Sequence, residues 1–241
     1  MPEFSICIPT YEYNGRGVEF LSHLFDTLEK QTFTDYEVII SDHSKDDNIQ
    51  NYLFDQGNRF DIKYYRNENK KGNLSNNTNQ CLSMSSGRII KFVYQDDFFY
   101  SEVALEEIQK AFAVENCKWL ATACNHYDDD LKIYCRDFYP NFDEPEATLF
   151  GKNLISCPTV IALLNDAKIE FDENLNMLMD CDFYYRMYKK YGKPFLLNEI
   201  LMTNRSHSGQ SQKSKDFEEK IQEEMMYCYD LFNKQNYNLG S

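Results

Sequence analysis

Arg88-Ile-Ile-Lys-Phe-Val-Tyr-Gln-Asp-Asp97 runs from an apolar stretch straight into two adjacent carboxylates. Residues 88–94 read as a strand buried on both faces of a sheet. Phe98-Phe99-Tyr100 follow, so Asp96 and Asp97 stand beside a hydrophobic wall and need a counter-charge. A hard divalent cation, magnesium or manganese, is the natural one, because it takes oxygen ligands and shares them with phosphates. The alternative is an acidic pair offsetting a helix dipole, with Ser101 as N-cap of a helix over 101–115.

Working outward, the same alternation of strand and helix fills the first 130 residues. Phe4-Ser-Ile-Cys-Ile8 reads as a short buried strand, 36–41 as a second, 61–66 as an edge strand and 118–125 as a fifth. Helical spacing of Val18, Leu21, Leu24, Phe25 and Leu28 predicts a helix over 18–30, with further helices over 47–56 and 73–84. Such alternation implies an α/β fold with a mainly parallel sheet flanked by helices. Beyond about 135, Pro140, Pro145 and Pro158 break the pattern. A helix is expected at 176–190, a strand at 194–201, and a flexible Ser-rich loop at 203–214. The tail, 215–234, is an acidic amphipathic helix that packs on the body or on a second subunit.

In an open parallel sheet, ligands bind beyond the carboxyl ends of the strands. The first strand ends in Pro9-Thr10-Tyr11, the second in Ser41-Asp42-His43-Ser44, and the fourth in Gln95-Asp96-Asp97. These ends bring an aromatic ring, a hydroxyl and three carboxylates to one edge. Asp42 either accepts from a base or ribose group or closes an Asx-turn. No GxGxxG follows the first strand and no P-loop occurs, which disfavours a dinucleotide site or a Walker ATPase.

The chain's 241 residues carry 25 Lys+Arg against 39 Asp+Glu, a formal net charge of −14. That acidity disfavours nucleic-acid binding and a polybasic membrane anchor. No apolar run of about 18 residues is present, so no transmembrane segment is expected, and the N-terminus does not read as a signal peptide. Eight scattered cysteines without a CxxC pattern suggest a reducing cytoplasm. Cys117, Cys124, His126 and Cys135 form a conceivable zinc set, with spacing that fits no finger.

The ordered motifs resemble those of the family 2 glycosyltransferases. Phe4-Ser-Ile-Cys-Ile-Pro-Thr-Tyr11 is similar to the family's opening strand and nucleotide-binding turn. Glu29 to Asp47 resembles its second block, usually ending Asp-Asp-Gly-Ser, with Asp42 at the second Asp and Ser41 at the first. Asn67 to Asn79 resembles the Gly-Leu-Ser-Ala-Ala-Arg-Asn block. There Thr78 replaces the Arg, which leaves a phosphate contact to Lys70 or Lys71. Ser86 to Asp97 is similar to the strand leading into the metal-binding DxD motif, with Tyr94 in place of its first Asp. Met179-Asp-Cys-Asp-Phe-Tyr-Tyr-Arg186 resembles the block that carries the catalytic base. Asn204-Arg-Ser-His-Ser-Gly-Gln-Ser211 resembles the late segment that closes over the diphosphate.

The resemblance implies a GT-A-type, Rossmann-like fold. Its nucleotide-sugar-binding half would span 1–130, an acceptor-side half 131–213 and a helical tail 214–241. It implies an inverting transfer from a nucleotide diphosphate sugar, most simply UDP-linked, to a glycan or lipid-linked acceptor hydroxyl in bacterial surface glycan synthesis. Pro9, Thr10, Tyr11, Asp42, Lys71 and Asp96 would bind the donor. Asp96, Asp97 and His207 would hold magnesium or manganese, and Asp180 would be the base. Asp182 reads instead as a structural partner of Arg186. The enzyme would be cytoplasmic, at the inner membrane face for a lipid-linked acceptor, and a homodimer would form through the terminal helix. Two rival readings are a nucleotidyltransferase and a non-catalytic sugar-nucleotide or glycan-binding module.

Overall fold

The computed structural model describes residues 1–57, 59–208 and 217–237. In chain order the elements are β1 (Phe4–Thr10), α1 (Gly17–Leu28), β2 (Tyr36–Asp42), α2 (Asn48–Asp55), β3 (Ile62–Arg66), α3 (Leu74–Met84), β4 (Ile89–Phe92), β5 (Phe98–Phe99), α4 (Ala104–Val114), β6 (Trp119–Asp128), β7 (Ile133–Phe138), β8 (Ile161–Leu164), α5 (Met179–Tyr191), β9 (Phe195–Ser206) and α6 (Phe217–Tyr237). Among the described residues one sheet runs β3-β2-β1-β4-β8-β6-β9-β5, with β7 paired to β6.

Every residue of β1 is buried, as are the last six of β2, which is why both read as near-continuous apolar runs. β2, β1 and β4 are mutually parallel, with β3 parallel on the outer edge. β8 runs antiparallel to β4 and to β6, so two reversals restore the direction. β9 is parallel to β6. The carboxyl ends of β1, β2, β4, β6 and β9 therefore share one edge, where the ligand-binding rule for open sheets places a site. α1, α3 and α4 cover the sheet with buried Leu21, Leu24, Phe25, Cys81, Leu82, Leu105 and Ile108. Trp119 is fully buried and its indole N–H donates to the Gly192 carbonyl at 3.0 Å.

The expected elements are present, with shifted boundaries. The strand of 88–94 ends at Phe92, because Asp97 N turns back onto the Tyr94 carbonyl. Ser101 is not the N-cap of α4. The helix begins at Ala104 behind Val103, and the Ser101 hydroxyl only approaches Val103 N at 3.4 Å. β9 extends to Ser206 and takes in residues 203–206 of the expected loop. These polar residues pair with Asn125 to Asp128 of β6, and Thr203 is hydrogen-bonded to Asn125. The loop's remainder beyond 208 lies outside the described residues. β7 and β8 carry no pattern that announced them.

α6 places its apolar face on the body. Cys228 is buried there, and the Tyr227 hydroxyl donates to Asp172 at 2.9 Å. The Glu224 carboxylate accepts from the backbone N–H groups of Asn176, Met177 and Leu178 at 2.8–2.9 Å. An anion there satisfies orphan donors at the start of α5 and complements the helix dipole.

Candidate functional site

A cleft of about 410 Å³ opens at the shared carboxyl edge. Pro9, Thr10 and Tyr11 form its centre, His43, Gly72, Leu74 and Asn77 one side, and Tyr13, Tyr94, Gln95 and Asp96 the other. The turn after β1 is fixed from two directions. Gln95 clasps Tyr11, accepting from its N–H at 2.5 Å and donating to its carbonyl at 2.6 Å. Asn77 on α3 donates to the Thr10 carbonyl at 3.1 Å and accepts from the Ser41 hydroxyl at 2.7 Å. The chain then enters α1 through Gly17, where a Cβ would stand 2.8 Å from the Tyr11 carbonyl oxygen. Only glycine permits that approach.

Asp96 and Asp97 are adjacent in sequence but separate in environment. Asp96 lines the cleft, and its carboxylate lies 3.3 Å from His207 Nε2. Asp97 is buried, with both oxygens held by the protein. One accepts from Arg205 N at 2.9 Å, the other from the Thr159 hydroxyl at 2.5 Å and the Cys157 thiol at 3.3 Å. Burial, and then the neighbouring Asp96, push the Asp97 carboxyl up. β9 carries Arg205 and leads directly into His207, the two late residues of this edge. Arg205 reaches under the turn, donating to the Asp96 carbonyl at 2.7 Å and to Asp129 at 2.6 Å. His207 packs between the rings of Tyr13 and Phe20.

Asp42 is fully buried beneath the cleft. Its carboxylate accepts from Ser44 N at 2.8 Å and from the Tyr64 hydroxyl at 2.9 Å, with Arg66 at 3.4 Å. The Ser44 contact is an Asx-turn. Lys71 is ion-paired with Glu68 at 2.7 Å and Lys70 with Glu173 at 2.6 Å, and neither lines the cleft. The Thr78 hydroxyl is turned back onto the Leu74 carbonyl.

Asp180 stands in the first turn of α5. It accepts from Asn153 Nδ2 at 2.6 Å and from Cys181 N at 2.7 Å. It keeps some solvent contact, yet burial pushes its carboxyl up to about 6. Asp180 is not among the residues that line the cleft; at Tyr94, a ring of the cleft wall, burial pushes the hydroxyl pKa up and the charge of Asp180 adds to it. Asp182 pairs with Arg186 at 2.6 Å, as the i,i+4 spacing implies. Among the described residues no group of three or more His, Cys, Asp or Glu side chains could hold a metal ion. Cys117, Cys124, His126 and Cys135 thus form no zinc set. Gln95, Asn77, His43 and Tyr13 belong to the cleft without having been chosen from the sequence. Gln95 and His43 could have been, since both sit at strand ends.

A family model described as glycosyl transferase family 2 matches residues 5–169. Over 115 residues the chain is 32% identical to the GalNAc(5)-diNAcBac-PP-undecaprenol beta-1,3-glucosyltransferase of Campylobacter jejuni subsp. jejuni. That match covers 46% of this chain and 35% of the relative. Among solved structures, S. aureus TarS 1-349 in complex with UDP is similar with a TM-score of 0.67 at 21% identity, covering 94% of this chain and 65% of that one. The mannosyltransferase PcManGT from Pyrobaculum calidifontis, in complex with GDP-Man and Mn2+, gives 0.61 at 12%, covering 84% and 56%. At such identities the structural likeness speaks for the fold alone: an α/β sheet of GT-A type.

Proposed function

The chain belongs to glycosyl transferase family 2, and from that premise we propose that it moves a sugar from a nucleotide diphosphate donor to an acceptor hydroxyl with inversion. The observation that carries this reading is Asp96 at the cleft wall, 3.3 Å from His207 Nε2. That separation suits neighbouring ligands of one octahedral cation, whose bonds are about 2.1 Å. Magnesium or manganese would be held by Asp96 and His207 and completed by the donor's phosphates. When bound, the cation neutralises charge on the leaving diphosphate. Asp97, with both oxygens taken, supports the turn that presents Asp96.

The remaining roles fall to this chain's side chains. Pro9, Thr10 and Tyr11 line the nucleotide cleft, held by Gln95 and Asn77. Asp42 shapes the turn beneath it rather than touching the base, and Lys71 approaches the phosphates only by leaving Glu68. Asp180, ionised above about pH 6, takes the proton of the attacking hydroxyl as general base. A single carboxylate base and direct displacement give inversion.

UDP is favoured as the nucleotide because the TarS structure similar to this chain holds UDP. The C. jejuni relative's name, a glucosyltransferase for an undecaprenol-linked glycan, favours a lipid-linked acceptor and placement at the inner membrane face. No described helix is long and apolar enough to cross a membrane. A second copy would meet α6 through Met226 and Tyr229, both exposed, with Tyr229 beside Phe150. Nucleotidyl transfer is disfavoured, because Arg16, the basic residue of the loop after β1, is committed to Glu19 and Asp129. The test is release of UDP from UDP-sugars by the purified chain with manganese. Release by the wild type, lost in Asp180→Asn, supports the reading; equal release by both removes Asp180 from the chemistry, and none with any nucleotide sugar contradicts transfer.

A further inference from the structure

His43 is an unexplained residue of the cleft. It lines the side opposite Asp96, is only 3% exposed, and its Nε2 is buried without a hydrogen-bond partner. An unsatisfied buried polar atom is costly to keep, and on a residue that lines a cleft it leaves a hydrogen bond for a ligand group or a water to supply. In the family resemblance the block ends Asp-Asp-Gly-Ser, whereas here it ends Ser41-Asp42-His43-Ser44. A ring therefore stands where that pattern has no side chain.

The position of His43 in the sheet says which part of a ligand it meets. β1 lies between β2 and β4, so the turns carrying His43 and Asp96 are two strand spacings apart, about 10 Å. A nucleoside diphosphate with its phosphates at Asp96 thus lays its base toward His43. The turn itself is rigid. His43 N donates to the Thr10 carbonyl at 3.0 Å, and Asp42 closes the Asx-turn beneath it.

The ring's protonation follows from its surroundings. Burial lowers the His43 pKa, against hydrogen bonds to the Asn69 backbone and the Asn76 side chain that favour a proton on the ring. The imidazole is neutral at physiological pH, so one of its two ring nitrogens carries a lone pair. Placed on Nε2, that lone pair would make the unpartnered nitrogen an acceptor.

We propose that His43 is the residue that selects the donor's base, its Nε2 accepting the N3–H of a uracil-type imide. This rests on the transferase reading above. Asp42, the carboxylate expected from sequence to read the base, has both its oxygens spent on Ser44, Tyr64 and Arg66. The neighbouring ring takes over that part.

The experiment titrates UDP, N3-methyl-UDP and GDP into the whole chain with manganese, using wild type, His43→Ala and His43→Gln. Wild type is expected to bind UDP at least tenfold tighter than N3-methyl-UDP and GDP. His43→Ala is expected to bind UDP and its N3-methyl form equally, and His43→Gln, whose amide oxygen is an acceptor, to recover the preference. The ring resonances of His43 should shift on adding UDP to the wild type, a readout that needs no variant. A wild type indifferent to N3-methylation, or preferring GDP, overturns the inference and leaves the transferase reading standing. The same holds if His43→Ala keeps the wild-type preference. No binding of any nucleotide overturns both.

Discussion

Replacing Asp180 by Asn separates the stability of this chain from its chemistry. Burial moves the carboxyl from its ordinary 3.8 to about 6. At about 1.4 kcal/mol per pH unit, that corresponds to about 3 kcal/mol against the ionised native state. The sign follows from proton binding. The native chain holds this proton more tightly than the unfolded one, so stability is full below pH 3.8 and falls as pH rises toward 6. The carboxyl keeps some solvent contact, which makes about 3 kcal/mol an upper figure. Asn brings a separate, pH-independent cost. Its amide oxygen cannot accept from both Cys181 N and Asn153 Nδ2, which loses about 1 kcal/mol. Asp180→Asn should therefore be more stable than wild type by about 1–2 kcal/mol at pH 7.5 and less stable by about 0.5 kcal/mol at pH 4. Urea unfolding at both pH values reads this crossover. Sugar transfer should fall by about 10²–10⁴, and the wild-type rate should climb with pH up to about 6 and then level. Parallel stability curves for the two proteins would refute the burial account of Asp180. Retention of more than a few per cent of turnover would refute its role as base.

Four further perturbations probe the cleft and the frame that carries it. Gln95→Leu removes both hydrogen bonds that clasp Tyr11 and should cost about 1–3 kcal/mol of stability, with UDP binding weakened in calorimetry. Asp97→Ala strips the acceptor from Arg205 N, Thr159 and Cys157 and should cost about 2–4 kcal/mol in thermal melts. Asp96→Ala should cost under about 1 kcal/mol but lose manganese dependence. Glu37 is buried, which pushes its carboxyl up, but hydrogen bonds from Lys63, Ser5 and Ser86 prevail and hold it down at about 2. Its contribution is present above pH 4.5 and lost as pH falls toward 2. Glu37→Gln should thus lose up to about 3 kcal/mol at pH 7 and little at pH 2.5, as read by urea unfolding.

The parallel half of the fold was legible because its cause is local. Strands buried on both faces, such as β1 and β2, must be apolar throughout, and α1 must show its buried stripe. β9 was read too short because Thr203, Asn204 and Arg205 are polar. Their burial rests on pairing with β6 and on Asp129, which no local pattern reveals. The sequence put three carboxylates at one sheet edge, but what each is bonded to there was not legible. Asp97 is consumed by Thr159 and Arg205, 62 and 108 residues away in sequence. Asp42 is consumed by Tyr64 and Arg66 on the neighbouring strand β3. Asp180 drew notice only through the family resemblance. Its raised pKa comes from burial that neither the spacing nor the charge of α5 discloses.

Titrating UDP into wild type and Asp96→Ala, each with manganese and with EDTA, tests the central claim most directly. The account expects metal-dependent binding to the wild type, abolished by EDTA and by the substitution. UDP binding that is equal in both proteins and indifferent to the metal would contradict it.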